Sequence, residues 1–97
     1  MRTMFRFHVP AGAGNAAIKD GRLAKVLENA LERLKPEAAY FTSVDGDRGG
    51  YIIFDLQTPS DIPVVTEPFF LELDAQVDFT PVMTADDVRA GLQKVFK

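Results

Sequence analysis

Strand-like and helix-like patterns follow one another along this chain in a fixed order. Residues 3–9 alternate apolar and other side chains, a period of two that is typical of a strand. Residues 38–44 and 51–56 are rich in aromatic and β-branched residues, and residues 76–83 alternate again, which predicts three more strands. Pro81 favours an edge position for the last strand because proline cannot donate to a ladder. With the helical patterns between them, the order is strand, helix, two strands, helix, strand.

The first helical pattern is long and ends at Pro36. Asn15 is a candidate N-cap after the flexible connection 11–14, and Gly21 weakens the early part by about 1 kcal/mol relative to alanine. We therefore expect the ordered helix to begin between Asn15 and Asp20. The stripe expected to face the core is Leu23, Val26, Leu27, Ala30, Leu31 and Leu34.

A second, irregular helix is expected from Ser60 to about Leu73, with Ser60 as its cap. Pro63 and Pro68 lack an amide proton and are expected to break or restart it. Thr66 would then serve as a second cap. A short terminal helix follows, and its apolar stripe is expected to join the core.

That terminal helix has a start signal of its own. Thr84 followed by Asp87 is a variant of the capping box, in which side chains and amide groups pair reciprocally. The apolar stripe behind it consists of Val88, Leu92, Val95 and Phe96.

The two middle strands are joined by a glycine-rich segment, residues 45–50, that predicts a hairpin turn. The segment begins like a calcium loop, but Leu56 stands where a bidentate glutamate is needed. Asp45 and Asp47 are therefore expected to face solvent. One histidine and no cysteine also argue against zinc, so no metal site is expected.

Composition narrows the classes of protein to which the chain can belong. Its 97 residues suit one domain, 1–97, and the absence of cysteine excludes disulfides and suits a reducing cytoplasm. The net charge of −3 and scattered basic residues predict no nucleic-acid partner. The alternating amino terminus resembles neither a signal peptide nor a membrane span. We expect a cytoplasmic protein with no membrane partner.

The order of elements is that of the ferredoxin-like βαββαβ unit, an α+β fold with both helices on one face of an antiparallel sheet. The side chains expected to meet the helices are Phe5, Phe7, Ile52, Phe54, Leu56, Val77 and Phe79. The other face would carry Met4, Arg6, His8, Tyr51, Ile53, Asp55, Asp78, Thr80 and Val82. Exposing its large apolar members would forgo about 1.5 kcal/mol or more for each. A second copy, in a homodimer, or the terminal helix folded back is expected to cover that face.

These features resemble the dimeric α+β-barrel superfamily, and within it small bacterial proteins near the muconolactone-isomerase group. The resemblance rests on the order of elements across residues 1–83, the hairpin at 45–51 and the closing segment 77–82 before a terminal helix. It implies paired sheets that enclose a cleft. The superfamily includes cofactor-independent monooxygenases, isomerases, haem enzymes and ligand-sensing domains.

The catalytic candidates share the second face. His8 is the only histidine and hence the candidate general base. In the ferredoxin-like order the first strand lies between the third and fourth, so Asp55 or Asp78 would orient His8, while Arg6 would stabilise an anionic intermediate. The alternative is that these four residues form interface ion pairs or face water at strand ends.

Tyr40, Tyr51, Ile53 and Thr80 are the candidate ligand-binding residues, because aromatic side chains on adjacent strands can line a pocket for a flat molecule. Cross-strand packing is the competing interpretation. Residues 12–17 match G-x-G-x-x-A, but the hairpin that follows is incompatible with a dinucleotide fold, so no cofactor is expected.

Three functions remain open on the sequence alone. The first is a homodimer that binds a small, partly apolar molecule between its sheets. The second is a cofactor-independent monooxygenase or isomerase acting on a small aromatic or lactone substrate. The third is a purely structural or interaction module. The fold cannot decide among them, because architectures of this kind carry many unrelated functions.

Overall fold

The computed structural model describes all 97 residues, Met1–Lys97, as four strands and four helices. The strands are β1 (Arg2–Val9), β2 (Ala38–Val44), β3 (Asp47–Asp55) and β4 (Gln76–Pro81). The helices are α1 (Ala11–Asp20), α2 (Arg22–Leu34), α3 (Asp61–Leu73) and α4 (Ala85–Val95). None of these helices is long and apolar enough to cross a membrane. The α+β class and the order of elements are as predicted, except that the first helix is divided in two.

The four strands form one open antiparallel sheet in the order β2-β3-β1-β4. β1 lies between β3 and β4, which confirms the expected position of the first strand. Its residue Phe5 stands opposite Ile52 on one side and Phe79 on the other. β2 and β4 form the two edges of the sheet, and Pro81 ends β4 at an edge as predicted.

The core lies between one face of the sheet and the first three helices. Phe69 of α3 is fully buried, and its ring centroid lies 4.9 Å from those of both Phe5 and Phe7. The stripe predicted on α2 packs on the same cluster, with Val26 buried and the other members partly buried. Every sheet residue predicted to meet the helices does so.

The first helical region begins earlier than predicted and contains a break. α1 starts at Ala11, directly after Pro10, and Gly21 in the left-handed conformation (φ 86°) separates it from α2. Asn15 is therefore inside a helix and caps nothing. Pro10 ends the strand, and its carbonyl oxygen accepts a hydrogen bond from the amide of Gly14. This is the first hydrogen bond of α1, so the helix begins directly after the strand.

α3 is continuous where two breaks were predicted. Pro63 lies in its first turn, where an amide proton has no partner inside the helix, so proline is tolerated there. Pro68 removes one helical hydrogen bond on a side of α3 that faces solvent, and the helix continues to Leu73. Thr66 is buried within α3 and caps no helix, and Ser60 makes no capping hydrogen bond through its side chain.

The turn between β2 and β3 is shorter than predicted. Asp45 (φ 52°) and Gly46 (φ 83°) alone form it, with the two positive φ angles of a type I′ hairpin turn. β3 therefore begins at Asp47 instead of residue 51. Gly49 and Gly50 lie inside the strand, where a β-carbon at Gly49 would overlap the carbonyl oxygen of Phe7. They permit close approach of the neighbouring strands instead of turning the chain.

α4 does not join the core as predicted, nor does it fold back over the sheet. Its capping box is present: Thr84 Oγ1 accepts from the Asp87 amide at 3.2 Å, and the Asp87 carboxylate accepts from the Thr84 amide at 2.9 Å. However, none of its residues is buried. The chain measures 56 × 27 × 18 Å, which is far longer than it is wide. α4 follows the last strand as a projecting arm.

Candidate functional site

The uncovered face of the sheet, here called the open face, is the surface on which all the candidate residues lie. Strand pairing sets their neighbours: Met4 stands between Ile53 and Thr80, and Arg6 between Tyr51 and Asp78. The half-buried residues Met4, Tyr51 and Ile53 form an apolar middle. The full set of predicted site residues on this face is Arg6, His8, Tyr40, Tyr51, Ile53, Asp55, Asp78 and Thr80.

At one end of the open face, Arg6 is held between two carboxylates. Its guanidinium donates to Asp78 Oδ2 at 2.9 Å and to Asp45 Oδ2 at 2.6 Å. The hydrogen bond to Asp45, followed by those to Tyr51 and Asp78, raises the pKa of Arg6 above its ordinary value. The same guanidinium lowers the pKa of Asp45. Arg6 is therefore already neutralised by two partners within the chain.

His8 lies beside Arg6 and is 8% exposed. Its Nδ1 is 2.9 Å from Asp47 Oδ2, and its Nε2 is 3.6 Å from Asp45 Oδ2. An ionised carboxylate only accepts hydrogen bonds, so Nδ1 carries the proton in the contact with Asp47. In the neutral imidazole Nε2 is then the acceptor, and it lies near the Asp45 carboxylate. Asp47 thus orients the ring in the way that a general base requires.

Arg6, His8, Asp45, Asp47 and Asp78 together form what we call the polar cluster. The short Asp45-Gly46 turn brings two of its carboxylates to the sheet, because Asp47 then stands on the same side of β3 as Gly49, which pairs with His8. Three carboxylates against one guanidinium leave the cluster net negative when the imidazole is neutral. The site therefore attracts hydrogen-bond donors and cations more than anions.

The structure brings Arg6, His8 and Asp78 together but does not pair His8 with either predicted aspartate. The Asp78 carboxylate is taken up by Arg6. Asp55 stands opposite Arg2 at the far end of β1, where it accepts from the N-terminal ammonium of Met1 at 2.7 Å. Asp45 and Asp47, expected to face solvent only, are the carboxylates that contact the imidazole. The expectation for Asp45 and Asp47 was wrong because it assumed a longer turn.

The predicted ligand-binding residues continue the open face away from the polar cluster. Tyr51 and Ile53 are half-buried, Thr80 is exposed, and Tyr40 on the edge strand is 69% exposed. Tyr40 pairs directly with Tyr51 across the strands. This arrangement is a flat, partly apolar surface with one polar end.

A groove of about 890 Å³ lies elsewhere, between α2 and α3 in the helix layer. Apolar Val64 and Leu71 line it beside charged Lys25 and Glu67, and it contains none of the predicted site residues. No group of three or more potential metal ligands is placed to hold an ion anywhere in the chain.

The sequence matches no protein-family model and no curated protein.

Proposed function

We propose that this protein is a homodimeric binding module in which the open faces of two copies stack and enclose a cleft for a small, partly apolar molecule. The observation that carries this proposal is the open face itself. Its apolar middle, Met4, Tyr51 and Ile53, is covered by no helix of its own chain. A two-fold partner would present the same surface in return, so one patch serves both subunits. The assembly would be a dimeric α+β barrel.

The free energy that would be gained by burying the open face favours a protein partner. Removing a large apolar side chain from water contributes about 1.5–3 kcal/mol when its burial is complete. Tyr40, which is 69% exposed, leaves much of that contribution unused in the single chain. Stacked sheets lie about 10 Å apart, which leaves room for side chains and, where these are small, for a flat ligand.

The chemistry of the cleft follows from its two ends. Tyr40, Tyr51, Ile53 and Thr80 would contact the apolar body of the ligand. The polar cluster at the other end would accept hydrogen bonds from the donor groups of the ligand, because it contains three carboxylates and only one guanidinium. Arg6 already donates to Asp45 and Asp78, so an anion would have to compete with both carboxylates for its guanidinium.

The expected solution mass is twice that of the 10.7 kDa chain, and Ile53→Glu is expected to reduce it to that of one chain. A buried carboxylate at the centre of the stacked faces is costly, whereas at the surface of a monomer it is not. Light scattering coupled to size exclusion measures the mass, and circular dichroism checks that the variant is folded. Ile18→Glu is the matched control, because Ile18 is 48% exposed on α1, away from the open face.

Nile red, a neutral apolar dye, probes the cleft in the same samples. Its fluorescence is expected to rise with the wild-type protein and with Ile18→Glu, and not with Ile53→Glu. If the wild-type protein is a monomer at about 100 µM, both the proposed dimer and the proposed cleft are wrong. A dimer that does not bind the dye would leave an interaction module without a ligand.

The contact between His8 and Asp47 favours a second candidate function, an isomerase or cofactor-independent monooxygenase with His8 as general base. Against it, the guanidinium of Arg6 already donates to Asp45 and Asp78, two carboxylates that would compete with the anionic intermediate it was expected to stabilise. On this hypothesis, Asp47→Asn lowers kcat by about 10²–10⁴-fold on a small phenol or lactone that the wild type converts. Asp61→Asn, in the first turn of α3 on the helix side of the sheet, is the control. Equal turnover by both variants would exclude His8 as an oriented base.

A further inference from the structure

α4 exposes an apolar stripe that nothing in its own chain covers. Leu92 is 52% and Phe96 84% exposed, and Val88 and Val95 lie on the same side of the helix. The helix makes no substantial contact with any other helix or strand. It nevertheless begins at a complete capping box, so it is a well-defined helix and not a frayed tail.

The chain exposes more surface than a compact monomer of its mass. A compact chain of this mass exposes roughly 5,500 Å², whereas this one exposes 6417 Å². The excess, about 900 Å², is close to the roughly 800 Å² that each partner contributes to a specific interface. The radius of gyration is 15.5 Å, against about 12.5 Å for a compact domain of this length.

The arm begins at one end of the open face. β4 ends at Pro81 opposite Thr3, and α4 starts at Ala85 after a link of three residues. The pKa of Asp87 lies below its usual range because the Thr84 amide donates to its carboxylate and, more weakly, because the guanidinium of Arg2 is nearby. Arg2 is at the end of β1 opposite to the polar cluster.

A two-fold stack whose axis runs across the strands reverses one sheet relative to the other. The Arg2 end of one open face then lies over the polar cluster of its partner. The arm of each copy therefore emerges beside the net negative cluster of the other.

We propose that α4 is an arm that each subunit lays over the open face of a second copy, closing the cleft at the end of the polar cluster. This inference rests on the proposed stacking of two open faces and adds a second contact to it. The apolar stripe of α4 then packs against the partner. Each copy carries one arm and one polar cluster, so the exchange is reciprocal.

Disulfide trapping tests the position of the arm directly, because the chain has no cysteine of its own. A tagged chain with Leu92→Cys is mixed with an untagged chain with Gln76→Cys, which stands opposite His8 on the open face. Each chain then has one thiol, so a mixed disulfide joins two molecules. We expect this disulfide to form readily, and the Ala90→Cys control, on the far side of α4, to form it much less.

A second variant measures the contribution of the stripe. Leu92→Glu is expected to raise the dissociation constant of the dimer about tenfold or more, and Ala90→Glu to change it little. Both variants keep the fold, since α4 buries no residue in the single chain. A wild-type dimer that cross-links equally through positions 90 and 92 overturns the arm and leaves the stacked sheets standing. A wild-type monomer overturns both.

Discussion

Phe69→Ala is expected to lower the free energy of unfolding by about 3–5 kcal/mol, the range measured when a buried phenylalanine is truncated. Phe69 is fully buried, and its ring contacts the rings of Phe5 and Phe7, which holds α3 on the centre of the sheet. Domains of this size have only about 5–15 kcal/mol in total. The midpoint of thermal unfolding should fall by about 12–40 °C.

Phe70→Ala is the matched control for this substitution, since it makes the same chemical change at the next position of the same helix. Phe70 is 41% exposed, so its loss is expected to change the free energy of unfolding by less than about 1 kcal/mol. Urea unfolding followed by circular dichroism compares the two variants at one fixed protein concentration. Equal losses in the two variants would mean that α3 does not pack on the sheet through Phe69.

Gly49→Ala is expected to destabilise the protein by about 1–3 kcal/mol or more, although it adds a single methyl group. A β-carbon there would overlap the Phe7 carbonyl oxygen and lie 2.9 Å from Cβ of Val44. Backbone atoms cannot move aside as a flexible side chain does, so β1 and β3 must separate. The separation falls where His8 pairs with Gly49, so the contact between His8 and Asp47 should loosen as well.

Gly12→Ala makes the same chemical change, but it is not expected to destabilise the protein. Nothing lies within 4 Å of a β-carbon at Gly12, and alanine is the better residue in a helix such as α1. Its free energy of unfolding should be unchanged or higher by up to about 1 kcal/mol. Thermal melts of both variants, with NMR shifts of the His8 ring as a local probe, check the pair. A harmless Gly49→Ala would show that the two strands are not in close contact at this point.

The sheet could be predicted from the sequence because alternation reports directly which side of a strand meets the core. The positions of Phe5, Phe7, Ile52 and Phe54 follow from it. Helix boundaries were harder to predict. Gly21 was treated as a weak point in one helix, yet it separates two, since a left-handed residue ends a helix and glycine adopts that conformation at little cost.

The candidate site was half predictable for a related reason. Arg6 and His8 share a face by simple alternation along β1. Their partners Asp45 and Asp47 depend on the length of the turn, and a two-residue Asp-Gly turn was the signal that could have located them. The glycines at 49 and 50 concealed it, because they have the composition of a turn while lying in a strand.

The outward placement of α4 could not be predicted from local pattern. Val88 and Leu92 have the spacing of a helix that packs on something, and the sequence favoured the core of the same chain. Spacing reports that a face is apolar but not which surface covers it. In the structure a three-residue link follows β4, and α4 begins after it without substantial packing on any helix or strand.

β2, one of the two edge strands, has a composition that favours aggregation. Its seven residues include no charge and no proline, and they are mostly aromatic, β-branched or small. Segments of this composition form cross-β fibrils when their backbone edge is free. Charged residues stand at both ends of the strand, Glu37 before it and Asp45 after it. Conditions that detach β2 from β3 should therefore favour aggregation of the chain over its simple unfolding.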